Sequence, residues 1–432
     1  MAQTAGPTLQ HEVVCPFCGL ACDDLVIEVG AERLAIRQGA CPISKAQFEQ
    51  PMAETASPRL AGTRCQPAAA IAKAADILRQ SRQPLFAGLA IDTAGMRAVL
   101  QLADRLGGVV DHQDSDALFR DLTASRDLGT ITTTLSEVRN RADVVLIVGP
   151  DPRLALPRFF ERCLDAPSMF GDRPLQRQLF RLGPAREPSG SAAAATPQMT
   201  EIPCPLDELP AAVANLRELV DGRPRAGQML EPPQREALSK VGEALKAAKY
   251  GVIAWSTGSL DFDGADLVLV ALTDLIRDLN RNTRCSGLPL GGAGNLVGVN
   301  QVCLWQSGFP LRTSFAAGFP QHDPYIHSAR RLIDSGEADA LVWISAINGN
   351  PPPPFPAGLP TIVLATPETP LETEPSVFLP VARPGIDHNG QLFRADGVVS
   401  LRLKALRSSA LASVAETLRG IEEALTTERI GA

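Results

Sequence analysis

Three cysteines, Cys15, Cys18 and Cys22, fall within eight positions, and Cys41 follows after eighteen intervening residues. Four thiolates that converge from a turn and a returning segment match the all-cysteine ligation of a [4Fe–4S] cluster. Zinc accepts four thiolates too, although structural zinc more often uses two paired CxxC knuckles. A cysteine-lined turn that holds no metal is the bland alternative. The other five cysteines, Cys65, Cys163, Cys204, Cys285 and Cys303, show no ligand spacing and read as buried, inert thiols. Nine cysteines in 432 residues are too sparse for a disulfide scaffold. The histidines, His11, His112, His322, His327 and His388, form no HxxxH pair, so zinc-dependent hydrolysis within this chain is not expected.

These thiols need elements to carry them. Asp24 to Val29 and Arg33 to Arg37 each alternate polar and apolar residues around the turn Gly30-Ala31, so a hairpin is predicted to bring Cys41 back towards the first three cysteines. Pro42 suits the first turn of a helix over CPISKAQF. Beyond Pro67 the period changes. Ile71, Ala74, Ala75 and Leu78 form a helical stripe, as do Met96, Val99, Leu100, Ala103 and Leu106. Pro84 to Ala90, Asp143 to Val148, Gly251 to Trp255, Ala340 to Ser345, Thr361 to Ala365 and Val377 to Val381 are apolar runs, the mark of parallel strands covered on both faces. Further helices are predicted at Leu209 to Val220 and Glu236 to Ala248, and a closing helix is striped by Leu411, Val414, Leu418, Ile421 and Leu425. Strands alternating with helices predict an α/β protein with open parallel sheets.

Composition narrows the classes further. Basic residues number 41 and acidic residues 48, a net charge of −7, which argues against nucleic acid as a partner. No run of 18 apolar residues exists, so no membrane partner is expected. The opening MAQTAGPTLQHEVV lacks the n-region and h-region of a secretory signal, and a cytoplasmic location is expected.

VCPFCGLACDDL together with CPISKAQF resembles the N-terminus of the B-type subunit of formylmethanofuran dehydrogenase, a member of the molybdopterin oxidoreductases. EVRNRADVVLIVGPDP, GNLVGVNQVCLWQSGFPLRTSFAAGFP, SGEADALVWISAINGNPPPPFP and IDHNGQLFRADGV resemble later stretches of the same protein, in order and over essentially the whole chain. The resemblance implies a small N-terminal iron–sulfur-type cysteine domain plus two Rossmann-like parallel-sheet domains, without the family's C-terminal barrel domain. The expected boundaries are 1–60 for the cysteine domain, 61–188 and 249–370 for the α/β domains, 189–248 for a linker and helical connection, and 371–432 for a segment returning to the first α/β domain. It also implies Cys15, Cys18, Cys22 and Cys41 as [4Fe–4S] ligands. Two turns match the family's pterin crevice, with Gly149, Asp151 and Pro152 in one and Asn348 and Asn350 in the other. Ligands in open α/β sheets bind beyond such strand ends.

One departure bears on function. The family's molybdenum or tungsten is held by a cysteine or selenocysteine followed by His-Gly-Pro, in the region that here reads DHQDSDALFRDLTASRDLGT, from Asp111 to Thr130. No cysteine occurs between Cys65 and Cys163. Asp116 could ligate through oxygen. The bland reading is a solvated acidic turn of Asp111, Asp114, Asp116 and Asp121. The loss of the thiolate fits the related formyltransferase/hydrolase complex, whose chemistry is non-redox and belongs to other subunits, with a formyl group passed from one carrier to another and hydrolysed to formate. The chain is therefore expected to be its B-type subunit, with no catalytic residues of its own. Its expected partners are the hydrolase-like A and C and transferase-like D subunits. The pterin crevice would be refilled, for which Phe119 and Leu122 are candidates. An active tungsten or molybdenum formylmethanofuran dehydrogenase subunit is the alternative.

Four features carry less weight. Gly291, Gly292, Gly294 and Gly298 could cradle a phosphate but lack a clear preceding strand, so a plain glycine loop is favoured. Trp305, Phe309 and Phe315 are expected in the core rather than stacked on a ligand. His322 and His327 are expected at a surface or turn. The run Pro351 to Pro354 is expected to be extended and rigid.

Overall fold

The computed structural model describes residues 7–31, 33–50, 57–170, 176–185, 198–224 and 231–427. The apolar runs become strands as their patterning requires. Pro84–Ala90, Ala340–Ser345 and Thr361–Ala365 are buried at every position. A strand covered on both faces has no polar face to keep, hence its continuous hydrophobicity.

The chain divides into two compact units, one comprising Met1–Ser115 with Gly292–Ala432 and the other Asp116–Gly291. In the first, described strands form a nine-stranded sheet. Its core is parallel, in the order Val109–Val110, Pro84–Ala90, Ala340–Ser345, Thr361–Ala365 and Val377–Pro380. Short antiparallel strands flank it on both sides. The helices Pro67–Gln80 and Thr93–Leu106 both pack against the closing helix Val414–Thr427. Asp92 caps the second of these by accepting from the Gly95 backbone N–H at 2.9 Å, and Gly107, at φ 68°, ends it. Ser413 and Glu416 cap the closing helix reciprocally.

The second unit is built on a five-stranded parallel sheet in the order Met199–Pro203, Gln178–Gly183, Val144–Val148, Gly251–Ser256 and Cys285–Leu290. Its core is lined by Leu209, Val213 and Leu216 of the helix Leu209–Asp221, by Leu238, Val241 and Leu245 of Pro232–Ala247, and by Val268, Leu272 and Leu275 of Ala265–Leu279.

This pairing corrects the expected boundaries. Val144–Val148, assigned with 61–188, pairs with Gly251–Ser256 of 249–370. Pro84–Ala90 pairs instead with Ala340–Ser345. The helices expected as a connection within 189–248 are core elements of the five-stranded unit. Local hydrophobic pattern shows that a segment is a covered strand but not which sheet receives it, and here one α/β unit is inserted into the other. The predicted low-complexity boundary Ser189 to Pro197 lies outside the described residues.

The N-terminal strands Thr8–Val13, Leu25–Val29 and Leu34–Gln38 form a separate antiparallel sheet that contains the predicted hairpin. No helix among the described residues is long and apolar enough to cross a membrane.

Candidate functional site

The first candidate is the cysteine unit. Val13 ends the first strand, and the chain then turns so that Cys15 N–H donates to the Cys22 carbonyl at 2.8 Å and Ala21 N–H to that of Cys18 at 3.2 Å. Ala21 takes a left-handed conformation, φ 46°, to close this turn. The hairpin returns the chain to Cys41, which caps the helix Pro42–Phe48. Its sulfur accepts from the Ser44 backbone N–H at 3.4 Å, and Ser44 Oγ accepts from Cys41 N–H at 2.8 Å. Cys15, Cys18 and Cys22 are buried, and Cys41 is half-buried. The Cys15 thiol is pushed well above its ordinary pKa, first by burial and then by the proximity of Cys18, with Cys22 and Cys41 adding to it. The sulfurs of Cys18, Cys22 and Cys41 thus all lie near enough to Cys15 to act on it.

Among the described residues, no three His, Cys, Asp or Glu side chains converge as ligands of a single metal ion. A four-iron cluster makes a different demand, because each thiolate binds its own iron. The donor set, four cysteines of which three act on the buried Cys15, fits that demand. So do the backbone N–H groups of Phe17 and Ser44 that hydrogen-bond the sulfurs of Cys15 and Cys41.

The second candidate is the carboxyl rim of the nine-stranded sheet. Gln113 follows Val109–Val110, Asn348 follows Ala340–Ser345, and Arg383 follows Val377–Pro380. Each has a buried atom with no hydrogen-bond partner, namely Gln113 Oε1, Asn348 Oδ1 and Arg383 Nε. Such orphaned atoms are rare in proteins and are usually served by an ordered water, an ion or a ligand. Part of the backbone at this rim is engaged. Ala346 and Ile347 N–H groups both donate to the Ala90 carbonyl, at 2.9 and 3.0 Å, and Gln113 N–H donates to that of Gly88 at 3.0 Å. Asn350, by contrast, is engaged through its backbone. Its N–H donates to Ser345 Oγ at 2.8 Å, and its carbonyl accepts from Trp343 Nε1 at 2.9 Å.

Gly292 to Gly298 pack close to this rim. A Cβ on Gly294, φ 59°, would lie 3.0 Å from that of Ala90 and 3.2 Å from His112 Nε2, and one on Gly298 would lie 2.3 Å from Asn295 Oδ1. These glycines permit close packing, as a plain glycine loop does. Contrary to expectation, a strand, Cys285–Leu290, directly precedes the loop.

The third candidate is the turn after Val144–Val148. Gly149, φ 100°, donates its N–H to the Leu182 carbonyl at 2.8 Å, and its own carbonyl accepts from Arg181 Nη1 at 3.1 Å. The Asp151 carboxylate accepts from the Arg153 backbone N–H and pairs with that residue's guanidinium at 2.6 Å. Pro152 is buried. Two arginines of the same unit thus take up the Gly149 carbonyl and the Asp151 carboxylate of this turn.

The expected acidic turn is corrected. Ser115–Leu128 is a helix, and two of the four carboxylates in this region are drawn into the protein. Asp111 is buried and pairs with Arg312 at 3.4 Å. Asp121 accepts from Trp255 Nε1 at 2.9 Å and Thr257 Oγ1 at 2.6 Å, and its enclosed carboxyl is raised by desolvation to about 6. The neighbouring Arg120 donates to the Leu260 carbonyl at 2.9 Å and pairs with Asp261 at 2.6 Å. Phe119 is buried, Leu122 half-buried and Asp116 exposed. The aromatic expectation divides: Phe315 is buried, but Trp305 is 63% exposed and Phe309 sits at the surface. The segment also leaves Phe319, Tyr325 and Ile326 exposed. His322 and His327 both hydrogen-bond the Arg312 carbonyl, at 3.0 and 3.3 Å.

Sequence reasoning missed Gln113 and Arg383. Their place just beyond apolar strands was the available signal.

No family model matches the chain. It is 31% identical over 279 residues to the B-type subunit of the formyltransferase/hydrolase complex Fhc of Methylorubrum extorquens, an alignment that spans 65% of this chain and 72% of that one. The chain belongs to this family of B-type subunits. The family extends to the B-type subunit of tungsten-containing formylmethanofuran dehydrogenase 2 of Methanocaldococcus jannaschii, 28% identical over 90% of this chain and 92% of that protein. The corresponding protein of Methanococcus maripaludis is 26% identical over 94% and 96%. Among solved structures, the formyltransferase/hydrolase complex FhcABCD of Methylorubrum extorquens, determined with methylofuran, contains a chain that superposes with a TM-score of 0.73 at 28% identity, covering 87% of this chain and all of that one. Acetylene hydratase from Pelobacter acetylenicus superposes at 0.57 over 97% of this chain and 70% of its own length, with 9% identity, and so shares the fold alone.

Proposed function

We propose that the chain is the B-type subunit of a formyltransferase/hydrolase complex in one-carbon metabolism, located in the cytoplasm. Its role is architectural: it holds hydrolase-like A and C and transferase-like D subunits together while they move a formyl group from its carrier to water. The observation that carries the non-redox part is the segment from Asp111 to Thr130. It offers no thiolate for molybdenum or tungsten. Its helix is fastened instead, with Asp121 under Trp255 and Thr257 and Arg120 on Asp261. The donors present do not fit the family's redox metal. The exposed side chains of Trp305, Phe319, Tyr325 and Ile326, close together in sequence, support a role within an assembly, because apolar exposure of this kind is what a protein interface covers.

At the N-terminus, Cys15, Cys18, Cys22 and Cys41 would hold a [4Fe–4S] cluster. Such a cluster supplies one-electron transfer or a rigid covalent staple, and in a non-redox assembly the staple is the useful property. What this chain does is gather the four sulfurs, aim backbone N–H groups at two of them and keep three of them from water. Because burial holds the Cys15 thiol protonated, loading must expel protons and is favoured by higher pH.

The test is elemental analysis of the intact complex after purification through a tag on this chain. The expected result is iron without tungsten or molybdenum, with three other subunits co-purifying. Stoichiometric tungsten or molybdenum would instead identify an active formylmethanofuran dehydrogenase.

A further inference from the structure

Arg383 lies at the carboxyl end of Val377–Pro380 and is 5% exposed. Its guanidinium reaches both arms of the cysteine unit. On one side it lies 5.8 Å from the ring centre of Phe17, which sits between Cys15 and Cys18 and is itself buried. On the other it donates through Nη1 to the Gln47 carbonyl at 3.1 Å and to Gln50 Oε1 at 3.4 Å, both at the end of the helix that Cys41 caps. The two arms also meet directly, with Phe17 edge-on to Phe48 at 4.9 Å. A single side chain of the large sheet thus fastens both halves of the cysteine motif.

The same guanidinium is short of negative charge. It meets the carboxylate of Glu368 at 3.4 Å from Nη2, a long contact, and Nε has no partner. Asp387 accepts from the Arg383 backbone N–H and attracts its guanidinium through space, but it pairs with Arg407 at 2.7 Å, whose own charge repels Arg383. A buried cation with so little compensation is expensive unless anions come to it. Four thiolates ligating a cluster beside Phe17 would be such anions.

We propose that Arg383 is the positioning residue of the four-cysteine site, clamping its two arms in register and supplying the cation that offsets the thiolates of a bound cluster. The proposal rests on the reading of these cysteines as cluster ligands. It predicts that loss of Arg383 weakens iron retention and lowers the reduction potential, because a nearby positive charge favours the more negative, reduced cluster.

The test uses the full-length chain reconstituted anaerobically with iron and sulfide, as wild type and as Arg383→Met, Arg383→Lys and Gln50→Ala. Iron and sulfide content, iron loss to a chelator, reduction potential and thermal melting are measured. Arg383→Met is expected to lose iron about tenfold faster, as removal of outer-shell partners of metal ligands does, and to show a lower potential. Arg383→Lys, which keeps the charge but not the planar fork, should recover the potential while still losing iron quickly. Gln50→Ala removes one clamp contact alone, so faster iron loss at unchanged melting keeps the proposal testable if Arg383→Met fails to fold. Wild-type iron retention and potential in both Arg383→Met and Gln50→Ala would overturn the inference while leaving the cluster reading intact. Failure of the wild type itself to take up iron would overturn the cluster reading, and the inference with it.

Discussion

The chain builds two parallel sheets, and the turn after Val144–Val148 in one is finished differently from the carboxyl rim of the other. After Val144–Val148 in the inserted unit, the turn closes on itself: Arg181 takes the Gly149 carbonyl, and Arg153 takes the Asp151 carboxylate. After the strands of the nine-stranded sheet, Gln113, Asn348 and Arg383 each keep a buried polar atom without a partner. Both turns stand where a ligand of an open α/β sheet belongs. The five-stranded sheet keeps one such unpartnered atom, Ser256 Oγ at the end of Gly251–Ser256, but none among the described residues of the turn after Val144–Val148. Strand ends of the same type can therefore differ, since one turn spends its polar groups on internal bonds while other strand ends leave polar atoms for a partner, a water or a ligand.

The strongest way to break the closed rim is through Gly183. A Cβ there would lie 2.1 Å from the Gly149 carbonyl oxygen, a backbone atom that cannot swing aside. Gly183→Ala should therefore destabilise the inserted unit by about 3 kcal/mol or more, the upper range for forced overpacking. Thermal melting read through Trp255 fluorescence checks this. An unchanged midpoint would mean that the turn is loose, and the contrast between the rims would fail with it.

This contrast marks the limit of what the sequence makes legible. Pro84 to Ala90, Ala340 to Ser345 and Thr361 to Ala365 were readable to the residue, because a strand covered on both faces must be apolar throughout. Their partners were not readable. The same pattern serves both sheets, and the pairing of Val144–Val148 with Gly251–Ser256 is decided by long-range packing. The site divides in the same way. Cysteine spacing stands out against a low background, whereas Arg383 is one basic residue among 41 and gains meaning only from its burial. Asp151 was readable as a turn residue, but nothing local shows that Arg153 occupies its carboxylate. Trp305 misled because a large aromatic is assigned by default to the core, and here it is exposed.

The open rim yields a prediction of opposite sign. Asn348→Leu removes an orphaned acceptor while nearly keeping the shape of the side chain. In the isolated chain it should raise stability by about 1 kcal/mol, the low end of what an unsatisfied buried polar group costs. Gln113→Leu should act in the same direction. A fall in melting temperature for either would show that its oxygen is already served by a bound water or ligand, and the open rim would have to be redrawn as an occupied one.

The smallest expected effect concerns Asp121, which locks the helix Ser115–Leu128 under Trp255 and Thr257. Desolvation raises its pKa from 3.8 to about 6, so the folded unit binds this proton more tightly than the unfolded chain does. Stability from this group is therefore fully present below about pH 4 and is lost as pH rises through about 6. Because the residue as a whole is only half-buried, the change is about 1 kcal/mol rather than the full value of the shift. Asp121→Asn should abolish this slope between pH 4 and 6 without removing the helix, since its amide oxygen still accepts from Trp255 or Thr257. Melting of the two proteins across that range separates the cases. Parallel pH profiles would mean that the Asp121 carboxyl is solvated, and that the helix is held by its other contacts, among them Arg120 on Asp261 and buried Ala124.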